Sequence, residues 1–408
     1  MDKIKQIMIV EDEPFQRLFV KKIVGSVTKA NITVAVDGID ALEQVTQLES
    51  IDVIICDISM PNLDGVELLR ALADKNLDPV VILVSAAAPE VISSVREMTY
   101  SYGMSKAISL SKPLIRSDVA SALEQAQRHL SKQHSAWKNN QFTPTKTEII
   151  SALENGEIQP FFQPQIDIST RKVVSSEVLA RWVHPSKGII APNLFLPKIK
   201  EYDLNDKLNV AILSRSTEYA SIWYKQGYNV GLSVNIAPTE LTDINFVDTC
   251  LSIISKTGFP PSLLTIEVTE NELSPHLGKM LDTLNRLRIN GINISLDDFG
   301  TGHASLLQMT SIPINELKID QYFIQQSLTD IKCKAAALCA ITLCKQLDIK
   351  VVAEGVETVG VEAFLREHKC DLAQGFLYSQ ALPPRQFISW LGDYSVTGLE
   401  KKEINTTI

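Results

Sequence analysis

Short apolar runs alternate with amphipathic stretches through the first part of the chain. The runs are Gln6–Val10, Ile32–Val36, Val53–Asp57, Val80–Ser85 and Ala107–Leu110. Between them lie segments such as Gly38–Leu48, which sets Ile39, Leu42, Val45 and Leu48 at helical spacing. Five strands alternating with five helices predict a doubly wound parallel α/β sheet. In such a sheet the functional crevice lies beyond the carboxyl ends of the strands.

Polar residues stand at those ends. Glu11 and Asp12 follow the first run, Asp57 closes the third, Ser85 closes the fourth, and Lys112 follows the fifth. Three carboxylates at one edge repel one another unless a hard cation such as Mg²⁺ neutralises them. A hydroxyl and an ammonium opposite suit the oxygens of a phosphoryl group carried by Asp57. Any one of these residues alone would pass as an ordinary solvated strand end, but five at matching ends do not.

The segments MIVEDE, ICDISMPNLDG, LVSA and SKP make residues 5–127 resemble the receiver domain of bacterial response regulators, a flavodoxin-like (βα)5 fold. The resemblance implies that Asp57 is the phosphoacceptor and that Glu11 and Asp12 help bind one Mg²⁺. It also implies that Ser85 and Lys112 contact the acyl phosphate, and that a cognate histidine kinase is a partner. The chain departs from the family at Ser109, where receivers carry Tyr or Phe three residues before the lysine. The usual aromatic readout of phosphorylation is left without its side chain.

Residues 126–147 are polar, and the stretch 139–147 with Pro144 predicts a loop before a new helix at Thr147 and Glu148. The expected organisation is a receiver over 1–130, a short and stiff linker over 131–147, a second domain over 148–394 and a tail over 395–408. The second domain again alternates strand and helix patterns, over the roughly 250 residues usual for a TIM-like (βα)8 barrel. Its apolar runs repeatedly end in, or carry, acid–base or metal-type residues. Glu177 lies in Val173–Leu179, Asn235 follows Gly231–Val234, and Glu267 lies in Leu264–Val268. Asp297 and Asp298 follow Ile292–Leu296, Lys318 lies in Glu316–Ile319 ahead of Asp320, Glu354 follows Ile349–Ala353, and Gln374 follows Asp371–Ala373.

A barrel gathers the carboxyl ends of its strands around one mouth, so these residues converge there. Carboxylates and an amide without cysteine or clustered histidine form an all-oxygen site, which suits Mg²⁺ or Mn²⁺. Adjacent Asp297 and Asp298 are placed to serve two ions, an arrangement suited to in-line displacement at a phosphodiester.

The segments FFQPQID, SSEVLARW, SVNIAP, TIEVTE, SLDDFGTG, ELKID, VVAEGVE and AQGFLYSQALP make residues 148–394 resemble the EAL family of cyclic di-GMP phosphodiesterases. The name motif is Glu177-Val178-Leu179 here, valine replacing alanine. The resemblance implies that Glu177, Asn235, Glu267 and Asp297 bind a first metal, and that Asp297 and Asp298 hold a second. Glu354 would orient or deprotonate the attacking water, and Lys318 would hold that water or the developing charge. Arg181 would contact substrate phosphate, and Gln163 and Gln374 would line the guanine pocket. The glycine-bearing loop from Asp298 to Gly302 would link metal binding to dimerisation, anchored by Glu270. His303 stands after it where the family commonly has Tyr. Family precedent also implies a homo-oligomer, a dimer or higher.

Hydrophobic residues make up 45% and charged residues 21% of the 408, which fits a core-forming globular protein. A net charge of −9 argues against DNA or an anionic membrane as partner. No apolar run reaches the ~18–20 residues needed to span a bilayer, and the N-terminus lacks a signal-peptide pattern, so the expected compartment is the cytoplasm. The six cysteines form no C-x-x-C pair and are expected to be reduced and mostly buried.

The expectation is a phosphorylation-regulated phosphodiesterase that hydrolyses cyclic di-GMP to linear pGpG with a metal-activated water. The alternative is a non-catalytic cyclic di-GMP-binding response regulator acting through protein partners. Such degenerate domains lose metal ligands, the lysine or the DDFG loop; this chain keeps them all.

Overall fold

The computed structural model describes residues 4–48, 50–75, 77, 79–85, 95, 98–99, 107–139, 142–269, 277–300 and 311–397. The chain divides into two compact units, Met1–Gln141 and Phe142–Ile408.

In the first unit, β1 (Gln6–Val10), β2 (Asn31–Ala35), β3 (Val53–Asp57), β4 (Val80–Ser85) and β5 (Ala107–Ser111) pair in parallel in the order β2-β1-β3-β4-β5. Strands β3 and β4 are buried along their whole length. Their unbroken apolar runs follow from cover on both faces of the sheet. The two-residue period sends Met8 and Ile54 to one hydrophobic cluster, with Leu68 and Leu83, and Ile7, Ile9 and Ile55 to the other, with Val24 and Leu123. Strand order reverses beside β1, so the ends of β1 and β3 flank the crevice. The last helix runs from Arg116 to Asn139, since no Gly or Pro interrupts it.

The second unit opens with a helix at Lys146–Glu154, slightly ahead of the position expected from Thr147. Thr145 is the cap. Glu148 N donates to Thr145 Oγ1 at 3.3 Å, and Thr145 N donates back to Glu148 Oε2 at 2.8 Å. This reciprocal pair satisfies two otherwise orphaned donors.

The barrel strands are β6 (Ile158–Asp167), β7 (Val173–His184), β9 (Gly231–Asn235), β10 (Leu264–Thr269), β11 (Asn293–Phe299), β12 (Glu316–Ile319), β13 (Lys350–Ala353) and β14 (Leu372–Ala373). They follow the order β6-β14-β13-β12-β11-β10-β9-β7, and a β6–β7 pairing closes the ring. The short β8 (Gly188–Ile190) pairs with β7 outside it.

Strand β6 runs antiparallel to both of its neighbours, β7 and β14, while the other barrel pairs are parallel. The connection from Asp167 to Val173 is a tight turn, with Arg171 at φ 56°, and it leaves no room for a crossover helix. Pairing with β8 also extends β7 through His184, whose ring lies 5.7 Å from those of Phe142 and Trp182.

Helices such as Asn205–Lys225 and Ile331–Gln346 cover the barrel. Trp223 meets Phe162 of β6 edge-on at 4.8 Å and Phe387 at 5.1 Å, joining helix, strand and C-terminal helix in one core. Each such buried side chain contributes on the order of 1.5–3 kcal/mol. All six cysteines are free, and all but Cys339 are buried. Among the described residues no helix is long and apolar enough to cross a membrane.

Candidate active site

The barrel brings the strand-end residues together. Carboxylate oxygens of Glu177, Glu267 and Asp297 lie within 4.8 Å of one another, and so do those of Asp297, Asp298 and Glu354. Asp297 belongs to both groups. Asn235 closes the first, its Nδ2 donating to Glu177 Oε1 at 3.1 Å.

Consecutive residues of a regular strand face opposite sides, yet Asp297 and Asp298 both line the same cleft. The β11–β12 register slips between Leu296 and Phe299, and Asp298 takes φ 56°. This irregularity re-aims the second carboxylate toward the mouth. Gly300 follows at φ 97°, and a Cβ there would come within 2.7 Å of the Phe323 ring.

Lys318 is fully buried at the centre. Its Nζ lies 2.7 Å from Glu354, 3.1 Å from Asp297, 3.2 Å from Glu267 and 3.5 Å from Glu177. The ammonium sits among the four and lies nearest to Glu354. Burial alone would lower its pKa, but Glu177, Glu267, Glu354 and Asp297 override burial and hold it well above the ordinary value. Burial pushes Glu354 up to about 8, with Lys318 opposing and Glu177 and Asp297 adding. Burial and then Asp297 push Asp298 up to about 6. Glu267 is raised well above the usual range, again first by burial.

Apart from that ammonium, neither oxygen of Glu267 finds a partner among the described residues. Among the described residues, one buried ammonium stands among these carboxylates, which leaves the rim short of positive charge. Hard oxygen donors without nitrogen or sulfur are the set a divalent cation such as Mg²⁺ or Mn²⁺ takes, so the residues fit.

The rim opens into a cleft of about 580 Å³, lined among others by Gln163, Arg181, Gln374 and Phe376. That is a size suited to a small ligand. Gln374 Nε2 donates to Glu177 Oε2 and, at 3.3 Å, to Gln163 Oε1. Arg181 is half-buried and donates to its neighbour Ala180 O at 2.9 Å.

In the first unit, Glu11, Asp12 and Asp57 place carboxylate oxygens within 4.8 Å of one another. Lys112 Nζ lies 2.5 Å from Asp57 Oδ2 and 3.0 Å from Glu11 Oε2. Burial raises Glu11, with Lys112 opposing; burial would lower Lys112, but Asp57 and Glu11 raise it. Ser85 is buried at the end of β4, and Ser109 is exposed on β5. Glu270 and His303, named from the sequence, lie outside the described residues.

The EAL domain model matches residues 147–381, more than half of the chain, and the response regulator receiver domain model matches residues 7–124. The chain belongs to the EAL domain family. It is 28% identical over 386 residues to the cyclic di-GMP phosphodiesterase RocR of Pseudomonas aeruginosa, a match covering 94% of this chain and 98% of RocR. Among solved structures, the PaMucR phosphodiesterase in complex with c-di-GMP is 31% identical, covers 59% of this chain and 98% of its own, and superposes with a TM-score of 0.57. An EAL domain protein from Listeria monocytogenes EGD-e is 28% identical, with 62% and 99% coverage and a TM-score of 0.55.

The EAL barrel also holds residues that the motif analysis passed over. Two positions before Glu177, Asn235, Glu267, Asp297 and Lys318 stand Ser175, Ser233, Thr265, Ser295 and Glu316. Residues i and i+2 share a strand face, so a polar layer underlies the ligand layer. Ser233 and Ser295 are fully buried in it. The repeated polar-x-ligand pattern was the available signal. On β6 the same spacing pairs Gln163 with Gln165, which is also fully buried. Gly375 was missed as well: a Cβ there would strike the Val356 backbone, so only glycine lets the Gln374 and Glu354 segments approach.

Proposed function

We propose that this chain is a phosphorylation-regulated phosphodiesterase that hydrolyses cyclic di-GMP to linear pGpG, using two divalent cations, Mg²⁺ or Mn²⁺, at the barrel rim. The observation that carries the reading is the pair of carboxylate groups sharing Asp297 beside a fully buried lysine. Similarity to RocR over both domains supports the substrate and the coupling to a receiver.

When bound, the cations would polarise the phosphodiester and acidify the attacking water. Glu177, Asn235, Glu267 and Asp297 would hold one, and Asp297 with Asp298 the other. Glu354 accepts the proton as the water oxygen bonds to phosphorus and the bond to the 3′ oxygen breaks. That oxygen leaves as a hydroxyl after taking up a proton from solvent water. Lys318 offsets negative charge building on the phosphoryl oxygens. Arg181 contacts phosphate from the cleft wall, and Gln163 and Gln374 face the bases.

In the receiver, Asp57 takes the phosphoryl group from a histidine kinase, Glu11 and Asp12 would hold one Mg²⁺ when it is bound, and Ser85 and Lys112 contact the phosphoryl oxygens. The boundaries proposed are 1–130 for the receiver and 148–394 for the EAL barrel. The active form is proposed as a cytoplasmic dimer or higher oligomer.

The test is incubation of the full chain with cyclic di-GMP and Mg²⁺, followed by chromatography of the nucleotides. Accumulation of pGpG that stops on chelation is the expected result. Saturable binding without any turnover would instead support the non-catalytic regulator.

A further inference from the structure

We infer that Gln165 is a positioning residue for the rim: its side-chain N–H fixes which end of the Gln374 amide meets Glu177. The inference rests on the metal reading of that rim. Gln165 is fully buried on β6 and shares a strand face with Gln163. Its Nε2 donates to Gln374 Oε1 at 3.1 Å.

A glutamine amide is nearly symmetric in shape but not in hydrogen bonding, since one end only accepts and the other only donates. The donating end of Gln374 contacts Glu177 Oε2 and Gln163 Oε1. Gln163 is itself fixed, because its Nε2 donates to Ser379 O at 3.2 Å and leaves Oε1 as the acceptor. A flipped Gln374 would set its oxygen against two other oxygens with no proton between them. Among the described residues, that oxygen has its donor in Gln165. Glu177 has its second oxygen held by Asn235 at 3.1 Å. Both Glu177 oxygens are therefore aimed, one directly by Asn235 and one through Gln374 under the control of Gln165.

Removing Gln165 leaves the buried Gln374 oxygen unpaired, which loosens the amide and with it the aim of Glu177. Partners of this outer kind typically change metal affinity by about 10–100-fold. The experiment is Mn²⁺ titration followed by electron paramagnetic resonance on the full chain. All variants carry Asp12→Ala, so that the receiver carboxylates compete less. Gln165→Leu is expected to weaken Mn²⁺ binding at the barrel by at least ~10-fold. In a chain already carrying Gln374→Leu, it should change nothing further. Gln165→Met, closer in shape, serves if the leucine variant does not fold.

Unchanged affinity, or equal losses with and without Gln374, would overturn the inference while leaving the proposed function intact. A parent chain that takes up no Mn²⁺ at the barrel would overturn both the metal reading and the role of Gln165.

Discussion

Lys318 Nζ and Glu354 Oε1 lie 2.7 Å apart on the adjacent strand β12 and the end of β13, with the lysine wholly buried. The ammonium also neighbours Asp297, Glu267 and Glu177, so one positive charge serves four carboxylates. Charges packed this densely tie the stability of the barrel to its ionic state.

Lys318→Met should therefore destabilise the metal-free protein by about 3–5 kcal/mol, the usual result of stripping a buried charge of its partner. Urea unfolding in the presence of chelator measures this. Added Mg²⁺ should recover much of the loss, and an unchanged midpoint would mean that the lysine does not offset the carboxylates.

Glu354→Gln keeps the shape of the side chain but removes the proton acceptor. Turnover of cyclic di-GMP should fall by about 10²–10⁴-fold, the range for loss of a general base. The dissociation constant for the dinucleotide should move far less. Near-normal pGpG formation would remove Glu354 from the chemistry.

The pH dependence has a definite sign. Glu354 is raised from 4.5 to about 8, and Asp298 from 3.8 to about 6. In each case the folded state keeps a proton that the unfolded chain releases, so stability is lost as pH rises through that window. Between pH 6 and pH 8 Glu354 continues this trend after Asp298 has titrated. Scanning calorimetry in chelator should show the Tm falling from pH 6 to pH 8. Mg²⁺ or Mn²⁺ should raise the Tm more at pH 8, because ligands bind cations in their deprotonated form. A metal-free Tm that climbs over this range would contradict the assignment.

Asp57→Ala should abolish phosphoryl uptake from acetyl phosphate, read as loss of the added phosphoryl mass in the intact chain. Lys112, 2.5 Å from Asp57 in the unmodified protein, would otherwise pair with the new phosphoryl oxygens. Persistent uptake would place the acceptor at another residue.

Much of this molecule was legible along the chain. Strands β1, β3 and β4 have the limits their apolar runs predict. Glu11, Asp57, Glu267 and Asp297 meet their neighbours because a polar residue at or near the carboxyl end of a strand is carried to the rim by the topology itself. Local spacing was enough, since the period of a strand and its end are both written in consecutive residues.

Other features were decided only when the strands paired. The slip after Leu296 turned Asp298 toward Asp297, the short turn at Arg171 reversed β6, and closure of the ring set Lys318 among carboxylates from four other segments. Gln165 shows the same limit: its partner Gln374 lies 209 residues away. Such contacts depend on register across strands and on charge acting through space, and neither quantity can be read from the order of residues alone.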